Sequence, residues 1–363
     1  MNEQAYKITS KQLIFILIGA TIGVGILTVT STAVRESQQD AWISILMGAL
    51  PLVVGIYSMH LIGSRFPDLT FAEYCEIILG KWPGKLLALV FVVYSLAFAA
   101  IVTRLFVNIL KIYLFPETPI WALSALILFT SAYLASKDAR VIGRVNELMF
   151  FESLVLLAFI LGAVPKVELS FFQPIGDAGM ANILKGAYQT LFAILGIEIL
   201  LVIYPMVQRK NEIVKAGLTA VAIISGIYLL VVFVVLGLFG PNAAEKLRFG
   251  LMVLLKTYNA PVIERAEFFF IIFWVFVAFR PVANMFFAGR YTVEKILNIN
   301  SPGWVTLALF PIIFLSSLFP GNFDKILGLS TTIGYLGLLF MIVIPVILWF
   351  TAILRGVGGK KVA

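Results

Sequence analysis

Apolar residues along this chain fall into ten runs separated by short polar segments. The runs are Leu13–Val34, Trp42–Ile62, Leu86–Ile112, Ile120–Ala135, Leu148–Val164, Gly186–Tyr204, Ala216–Phe239, Glu267–Phe287, Val305–Leu318 and Leu329–Leu354. A helix needs about 20 predominantly apolar residues to cross the hydrocarbon core of a bilayer. The pattern therefore predicts an all-α polytopic membrane protein with ten transmembrane helices in a single transmembrane domain, residues 1–363.

The first apolar run is interrupted by glycine where a membrane helix should be continuous. Gly19, Gly23 and Gly25 fall within seven residues, and glycine disfavours a helix and tolerates other backbone shapes. Unwound backbone at that depth must be buried in protein or line a cavity, because lipid cannot hydrogen-bond it. The pattern predicts a broken helix and a ligand site, with these candidate residues: Thr21, Ile22, Gly23, Val24 and Gly25.

A second, weaker interruption occurs at Gly196, within the sixth run. If the spans divide into repeats at about 10–165 and 182–355, the two breaks occupy equivalent positions, which is typical of a midplane site in secondary transporters. The second set of candidates is Phe192, Ala193 and Gly196. Free N–H groups at a helix start suit a carboxylate, and unwound carbonyls suit an ammonium group, so a zwitterionic amino acid fits. A glycine that merely packs against a neighbouring helix is the alternative.

Four aromatic residues lie in the middle of the third and eighth spans, which would flank the broken pair. They are Tyr94, Phe98, Trp274 and Phe279. We interpret them as side chains that close the pocket. Ordinary helix packing is the alternative for each of them.

Ionisable residues inside the spans are costly, at about 2.5–3.5 kcal/mol for a charge at mid-bilayer. Glu198 and Arg280 lie at similar predicted depths, and Glu152 lies about one turn inside the fifth span. We expect Glu198 and Arg280 to pair or to share a water-filled ion or proton path. A structural ion pair without a role in ligand response is the alternative.

Composition excludes several classes of protein. Hydrophobic residues make up 61% of the chain, charged residues 13%, and the mean hydropathy is +1.02, whereas soluble domains carry about 25% charged residues. Little length remains for a catalytic domain, so we expect no enzyme. One cysteine and one histidine exclude an internal disulfide and a His-rich metal site, and we expect no cofactor and no metal. The net charge of +8 fits anionic lipid rather than nucleic acid.

Basic residues set the predicted orientation. With the N-terminus in the cytoplasm, every cytoplasmic segment carries two or three Lys or Arg residues, which places both termini inside. Residues Phe66–Gly84 contain Thr70 and Glu73 at capping-box spacing, which predicts a short interfacial helix. The external segment Gly240–Arg265 is expected to form either a short helix that covers an outer cavity or a plain surface hairpin.

Several of these segments resemble known families. The first-span motif is similar to that of the amino acid–polyamine–organocation transporters, which share a leucine-transporter-like fold of five plus five inverted repeats with helices 1 and 6 broken. More specifically, the chain resembles the B subunits of bacterial spore nutrient-germinant receptors (the spore permease family). The matching segments are Ile8–Leu13, Ile22–Thr28, Phe66–Tyr74, Ile78–Lys81 and Phe192–Glu198 with Pro205.

The resemblance implies a receptor subunit in the spore inner membrane. Such a subunit binds a small nutrient, here an L-amino acid, and signals to A-type and C-type subunits to trigger germination. Two other functions stay open on the residues alone. One is a proton-coupled amino acid transporter (permease) that uses Glu198, and the other is a scaffold that assembles an ion channel and binds no ligand.

Overall fold

The computed structural model describes residues 7–257, 266–321 and 323–359. All regular secondary structure in these ranges is helical, apart from one isolated bridge between Ile8 and Val207. Turns and loops connect the helices. The first eight α-helices are α1 (Ser10–Thr21), α2 (Gly25–Ser37), α3 (Ala41–Arg65), α4 (Phe71–Leu79), α5 (Lys81–Tyr113), α6 (Ile120–Ala135), α7 (Ala139–Leu161) and α8 (Gly179–Gln189).

The second half of the chain begins with two short helical pieces and continues with long helices. The helices are α9 (Leu191–Ile194), α10 (Leu200–Ile203), α11 (Ile213–Ala244), α12 (Gly250–Thr257), α13 (Ala266–Leu297), α14 (Pro302–Leu318), α15 (Phe323–Leu338) and α16 (Ile344–Leu354). A π-helical turn, Leu339–Val343, joins α15 to α16.

The predicted membrane architecture is confirmed. Within the described ranges, six helical segments are long and apolar enough to cross a membrane, and four shorter apolar helices accompany them. Two of the shorter ones, Ser10–Thr21 and Ile197–Met206, are pieces of the first and sixth spans. They are short because both spans are broken.

The break in the first span lies where the glycines predict it. A capping box formed by Thr9 and Gln12 starts α1, which ends at Thr21. Ile22 then takes an extended conformation with φ −79° and ψ 111°, and α2 begins at Gly25. Three residues therefore separate the two helical pieces of one span, as the sequence predicts.

The sixth span is broken at Gly196. Leu195 is extended after α9, and Gly196 has a φ of +126°, which strongly favours glycine because a side chain would clash. A short 3-10 turn, Ile197–Ile199, leads into α10. The predicted second break is thus present.

The two breaks pack against each other through backbone. A Cβ added to Gly25 would lie 2.8 Å from Cα of Ala193, and one added to Gly196 would overlap the carbonyl oxygen of Ala20. Tyr228 of α11 donates a hydrogen bond of 2.5 Å to the carbonyl oxygen of Ala193, and its hydroxyl lies 3.5 Å from the carbonyl oxygen of Thr21. One tyrosine thus joins both interrupted segments.

The short helix predicted between the second and third spans is α4. Its capping box is formed as expected, with the Thr70 amide donating a 2.8 Å hydrogen bond to the carboxylate of Glu73. Burial raises the pKa of Glu73, but hydrogen bonds from Thr70 and Lys295 outweigh it, so the net pKa is lowered. The ionised carboxylate therefore fastens α4 to the end of α13.

The segment expected between the seventh and eighth spans contains a helix. Helix α11 turns sharply at Gly240, where φ is +69°, and runs on to Ala244 before α12 begins. Residues 258–265 of the predicted Gly240–Arg265 segment lie outside the described residues. The division into two repeats stays a prediction.

Substitution of Gly196 tests directly whether the two broken spans pack closely against each other. We expect Gly196→Ala to lower the free energy of unfolding by at least about 2 kcal/mol, because it adds left-handed strain and a backbone overlap. The matched control is Gly226→Ala in α11, where an added Cβ meets nothing within 4 Å, and it should change stability by less than about 1 kcal/mol. Chemical unfolding in detergent measures both, and equal stabilities would contradict the packing.

Candidate ligand-binding site

A cavity of about 580 Å³ lies beside both interrupted spans. Val24 and Gly25 line it at the end of the first break, and Phe192 and Ala193 line it from α9, just before the second break. All four are among the residues that the sequence predicts at the site. The structure therefore brings the two interrupted spans together at one cavity.

A polar stripe of α2 forms one wall of the cavity. Thr28, Ser31, Thr32 and Arg35 line it, and their spacing of three and four residues places them on one helix face. From Gly25 to Arg35 the wall is about 15 Å long, at about 1.5 Å per residue. This stripe was not predicted from the sequence, although polar residues inside an apolar span are a signal for it.

The opposite wall comes from segments that the sequence did not connect with the breaks. Part of it is the stretch just before the second break. The remainder comes from α15, near the end of the chain, and from Leu105 and Ile109 of α5. The lining residues of these segments are Tyr188, Gln189, Thr190, Leu191, Phe323, Leu327, Gly328, Ser330, Thr331, Gly334 and Tyr335.

The mouth of the cavity is positively charged. Arg35, Lys246 and Arg248 line it together with one acidic residue, Glu245. Phe249, also a lining residue, has its ring 6.1 Å from that of Phe323. The segment before α12 thus forms part of the wall, and its charge favours anionic and zwitterionic molecules. The described residues of α12 itself do not line the cavity.

The start of α2 offers hydrogen-bond donors to the cavity. The first N–H groups of a helix have no acceptor within the helix, and the cap residue Val24 makes no side-chain hydrogen bond to them. The helix dipole adds positive potential at the same place. A ligand carboxylate is the group that such a helix start binds best.

Below the second break, a buried carboxylate is tied to the backbone. Tyr94 donates a hydrogen bond to Oε1 of Glu198, and the amide of Gly196 donates one of 2.9 Å to Oε2. Glu198 is fully buried. The ring of Phe98 lies 5.8 Å from that of Phe192, so the third span contacts the segment before the second break, although neither Tyr94 nor Phe98 is among the residues that line the large cavity.

The expected pairing of Glu198 with Arg280 is corrected by the structure. Among the described residues no ion pair joins them, since Glu198 bonds to Tyr94 and Gly196. Arg280 instead packs beside α1, where its Cδ lies 3.1 Å from a Cβ built on Gly19. Similar depth in the bilayer did not place the two side chains on facing surfaces.

The other predicted site residues lie around the first break and along α13. Thr21 and Ile22 are buried, and Gly23 packs so closely that an added Cβ would lie 2.6 Å from Cγ of Pro281. Trp274 lines a separate, smaller cavity, and Phe279 is buried without lining either one. The eighth span therefore does not close the large cavity, contrary to expectation.

Glu152 is only partly buried on α7. Its charge acts on Arg280. The two residues form no ion pair among the described contacts, so Glu152 is a neighbour of the Arg280 guanidinium rather than its partner.

Comparison with known proteins identifies the family. The family described as "Spore germination protein" matches residues 7–326. The chain belongs to this spore germination family. The relatives are distant, and several of them align over nearly the whole chain.

Two relatives illustrate this coverage. Spore germination protein YndE of Bacillus subtilis (strain 168) is 25% identical over 99% of this chain and 100% of its own. Spore germination protein GerQB of Bacillus cereus is 23% identical, covering 95% of each chain.

A solved structure shares the fold. The crystal structure of MhsT in complex with L-phenylalanine has a TM-score of 0.66 and 15% sequence identity, covering 94% of this chain and 97% of MhsT. This member of the spore germination family therefore has the leucine-transporter-like fold that its sequence suggested.

The carboxylate below the second break provides a second test. We expect Tyr94→Phe to destabilise the fold by about 1–3 kcal/mol, because it leaves a buried carboxylate oxygen without its hydroxyl donor. Tyr57→Phe is the matched control, since Tyr57 is 48% exposed. Thermal unfolding of the purified variants measures the difference. Equal unfolding temperatures for the two would show that the Tyr94 hydrogen bond does not support the break.

Proposed function

We propose that this chain is a nutrient-germinant receptor subunit that binds a small amino acid in the cavity beside the two breaks. The observation that carries the proposal is the cavity itself, which is lined by Val24 of the first break and by Phe192 and Ala193 of the short helix that leads into the second break. Its volume of about 580 Å³ lies within the roughly 300–1,000 Å³ that small-molecule sites occupy. Membership of the spore germination family supports the receptor role.

The proposed binding mode follows from the backbone. The ligand carboxylate takes the free N–H groups at Val24 and Gly25, where the dipole of α2 also favours it. The ammonium group takes carbonyl oxygens from the unwound segments. Phe192 contacts the ligand side chain, and Phe98 supports Phe192 from behind. Thr21, Ile22, Gly23, Tyr94 and Gly196 hold this geometry in place.

Signalling then requires two states with different affinities for the nutrient. A ligand that binds both breaks favours the packing in which they are together, and it shifts the equilibrium only by its differential affinity. We propose that A-type and C-type receptor subunits detect this change and trigger germination. In this proposal the protein lies in the spore inner membrane, with both termini on the spore core side.

Paired binding and uptake measurements test the receptor role. Purified protein is screened for shifts in unfolding temperature with each of the twenty common L-amino acids, and those that bind are tested for uptake into proteoliposomes. We expect binding without concentrative uptake. Absence of binding by all twenty would contradict the proposed amino acid ligand.

A transporter is the second candidate, because the fold is shared with MhsT. Proton-coupled accumulation of a bound amino acid in proteoliposomes, abolished by Glu198→Gln, would establish this function instead of the receptor role.

Substitutions at two glycines, one in the cavity wall and one outside the cavity, test where the ligand binds. Gly328 lines the cavity, whereas Gly303 lies outside it. A Cβ added to either glycine meets nothing within 4 Å. We expect Gly328→Leu to weaken amino acid binding at least about tenfold by filling the site, with the fold retained. Gly303→Leu should bind as the unmodified chain does. Equal amino acid binding by both variants would show that the ligand does not bind in this cavity.

A further inference from the structure

The chain just before the first span is tied to the chain just after the sixth span. Ile8 and Val207 form the isolated bridge, and the Ile8 amide donates a 2.8 Å hydrogen bond to the carbonyl oxygen of Met206. The Gln208 amide donates a 3.0 Å hydrogen bond to the carbonyl oxygen of Ile8. Ile8 and Val207 are both fully buried, so backbone bonds and apolar packing join the two segments.

Both sides of this bridge continue directly into the broken spans. Thr9 is the N-cap of α1, and Ser10 of α1 donates a hydrogen bond from its hydroxyl to the carboxylate of Glu212. On the other side, the 3-10 turn Tyr204–Met206 joins α10 to the bridge. Because these connections are short, a movement of α1 away from α10 would break the bridge.

The turn after α10 is itself fastened to the second span. The hydroxyl of Tyr204 lies 3.1 Å from Nδ1 of His60 on α3, and a Cβ built on Gly63 of α3 would lie 2.6 Å from the Tyr204 ring. Lys210 donates a 2.7 Å hydrogen bond from Nζ to the carbonyl oxygen of Tyr204, an acceptor that the end of a helix leaves free. The bridge therefore holds α1 against a supported turn.

The bridge and the mouth of the large cavity lie at opposite ends of the first span. The span runs from Ser10, beside the bridge, to Arg35, which lines the mouth. Residues 16–18 of α1 are fully buried, and Leu200–Ile203 of α10 are buried as well. We call α1 and α10 the inner halves of the two broken spans. They are closely packed where the outer halves border the cavity.

We propose that residues 7–9 form a strap that keeps the path between the inner halves closed. The large cavity is then reached from its mouth and does not empty at the opposite end. A path between α1 and α10 requires them to separate at the breaks, where a Cβ added to Gly196 would lie 2.8 Å from the amide nitrogen of Thr21. Separation would expose Ile8 and remove both backbone hydrogen bonds together.

The consequence for the nutrient rests on the proposed function. If an amino acid binds in the large cavity, the strap retains it there, and binding without uptake follows. The strap itself depends only on the contacts of Ile8 with residues 206–208. A test that uses no amino acid therefore separates failure of the strap from failure of the proposed function.

Labelling of a cysteine at the first break provides that test. Thr21 is 5% exposed and is not among the described residues that line the large cavity. Thr21→Cys in the full chain, with the native cysteine replaced by Cys75→Ser, therefore reports opening between the inner halves. We expect slow labelling by a membrane-impermeant maleimide in detergent. Labelling as fast as that of an exposed cysteine would overturn the proposal.

A matched pair of variants at Gln208 then tests the strap itself. Gln208→Pro removes one backbone donor, and the preceding Val207 already has the extended conformation that proline requires. We expect it to raise the labelling rate of Thr21→Cys at least about tenfold. Gln208→Ala also removes the side chain but keeps the donor, so it should label slowly. Equal labelling rates for the two variants would overturn the proposal.

Hydrogen exchange in the unmodified chain covers the case in which Gln208→Pro fails to fold. Peptides that contain residues 7–9 and 206–208 should both exchange slowly and at similar rates, because the two sides of the strap open together. Exchange of residues 7–9 at the rate of an unstructured peptide, with residues 206–208 protected, would overturn the proposal.

Discussion

Close backbone contact between the two interrupted spans is the constraint on which the rest of this structure depends. Gly25 and Gly196 allow the broken first and sixth spans to approach where any side chain would collide with Ala193 or Ala20. Backbone that leaves a helix within the membrane needs partners, and Tyr228 supplies one by donating to the carbonyl of Ala193. The carboxylate of Glu198 supplies another by accepting from the amide of Gly196. The breaks are thus held open by polar contacts and not by disorder.

The first broken span lies between two cavities with different chemistry. The stripe that begins at Gly25 and continues along α2 faces the large one, whereas Ile22 and Ile26 face the small one. In the proposed account, a nutrient binds the free amides on the side of the large cavity. It thereby stabilises this backbone conformation and favours the interrupted state.

The fold was predictable and much of the site was not, for a physical reason. Apolar runs and closely spaced glycines act locally, and the bilayer leaves few alternatives for them, so the spans and the break before Gly25 follow from the sequence. Contacts between spans depend on the rotation of each helix about its axis, which depth alone does not determine. Glu198 and Arg280 were correctly placed within their spans but face different surroundings. The α15 wall, with Gly328, is remote in sequence and left no local signal.

Hydrogen exchange at the first break tests the central claim most directly. Amide exchange followed by mass spectrometry, with and without an amino acid that binds the purified chain, reports whether the N–H groups of residues 22–27 become protected. The account predicts that ligand slows exchange in this stretch and leaves α14, residues 302–318, unchanged. Unaltered exchange at residues 22–27 in the presence of a saturating ligand, with protection appearing elsewhere, would contradict it.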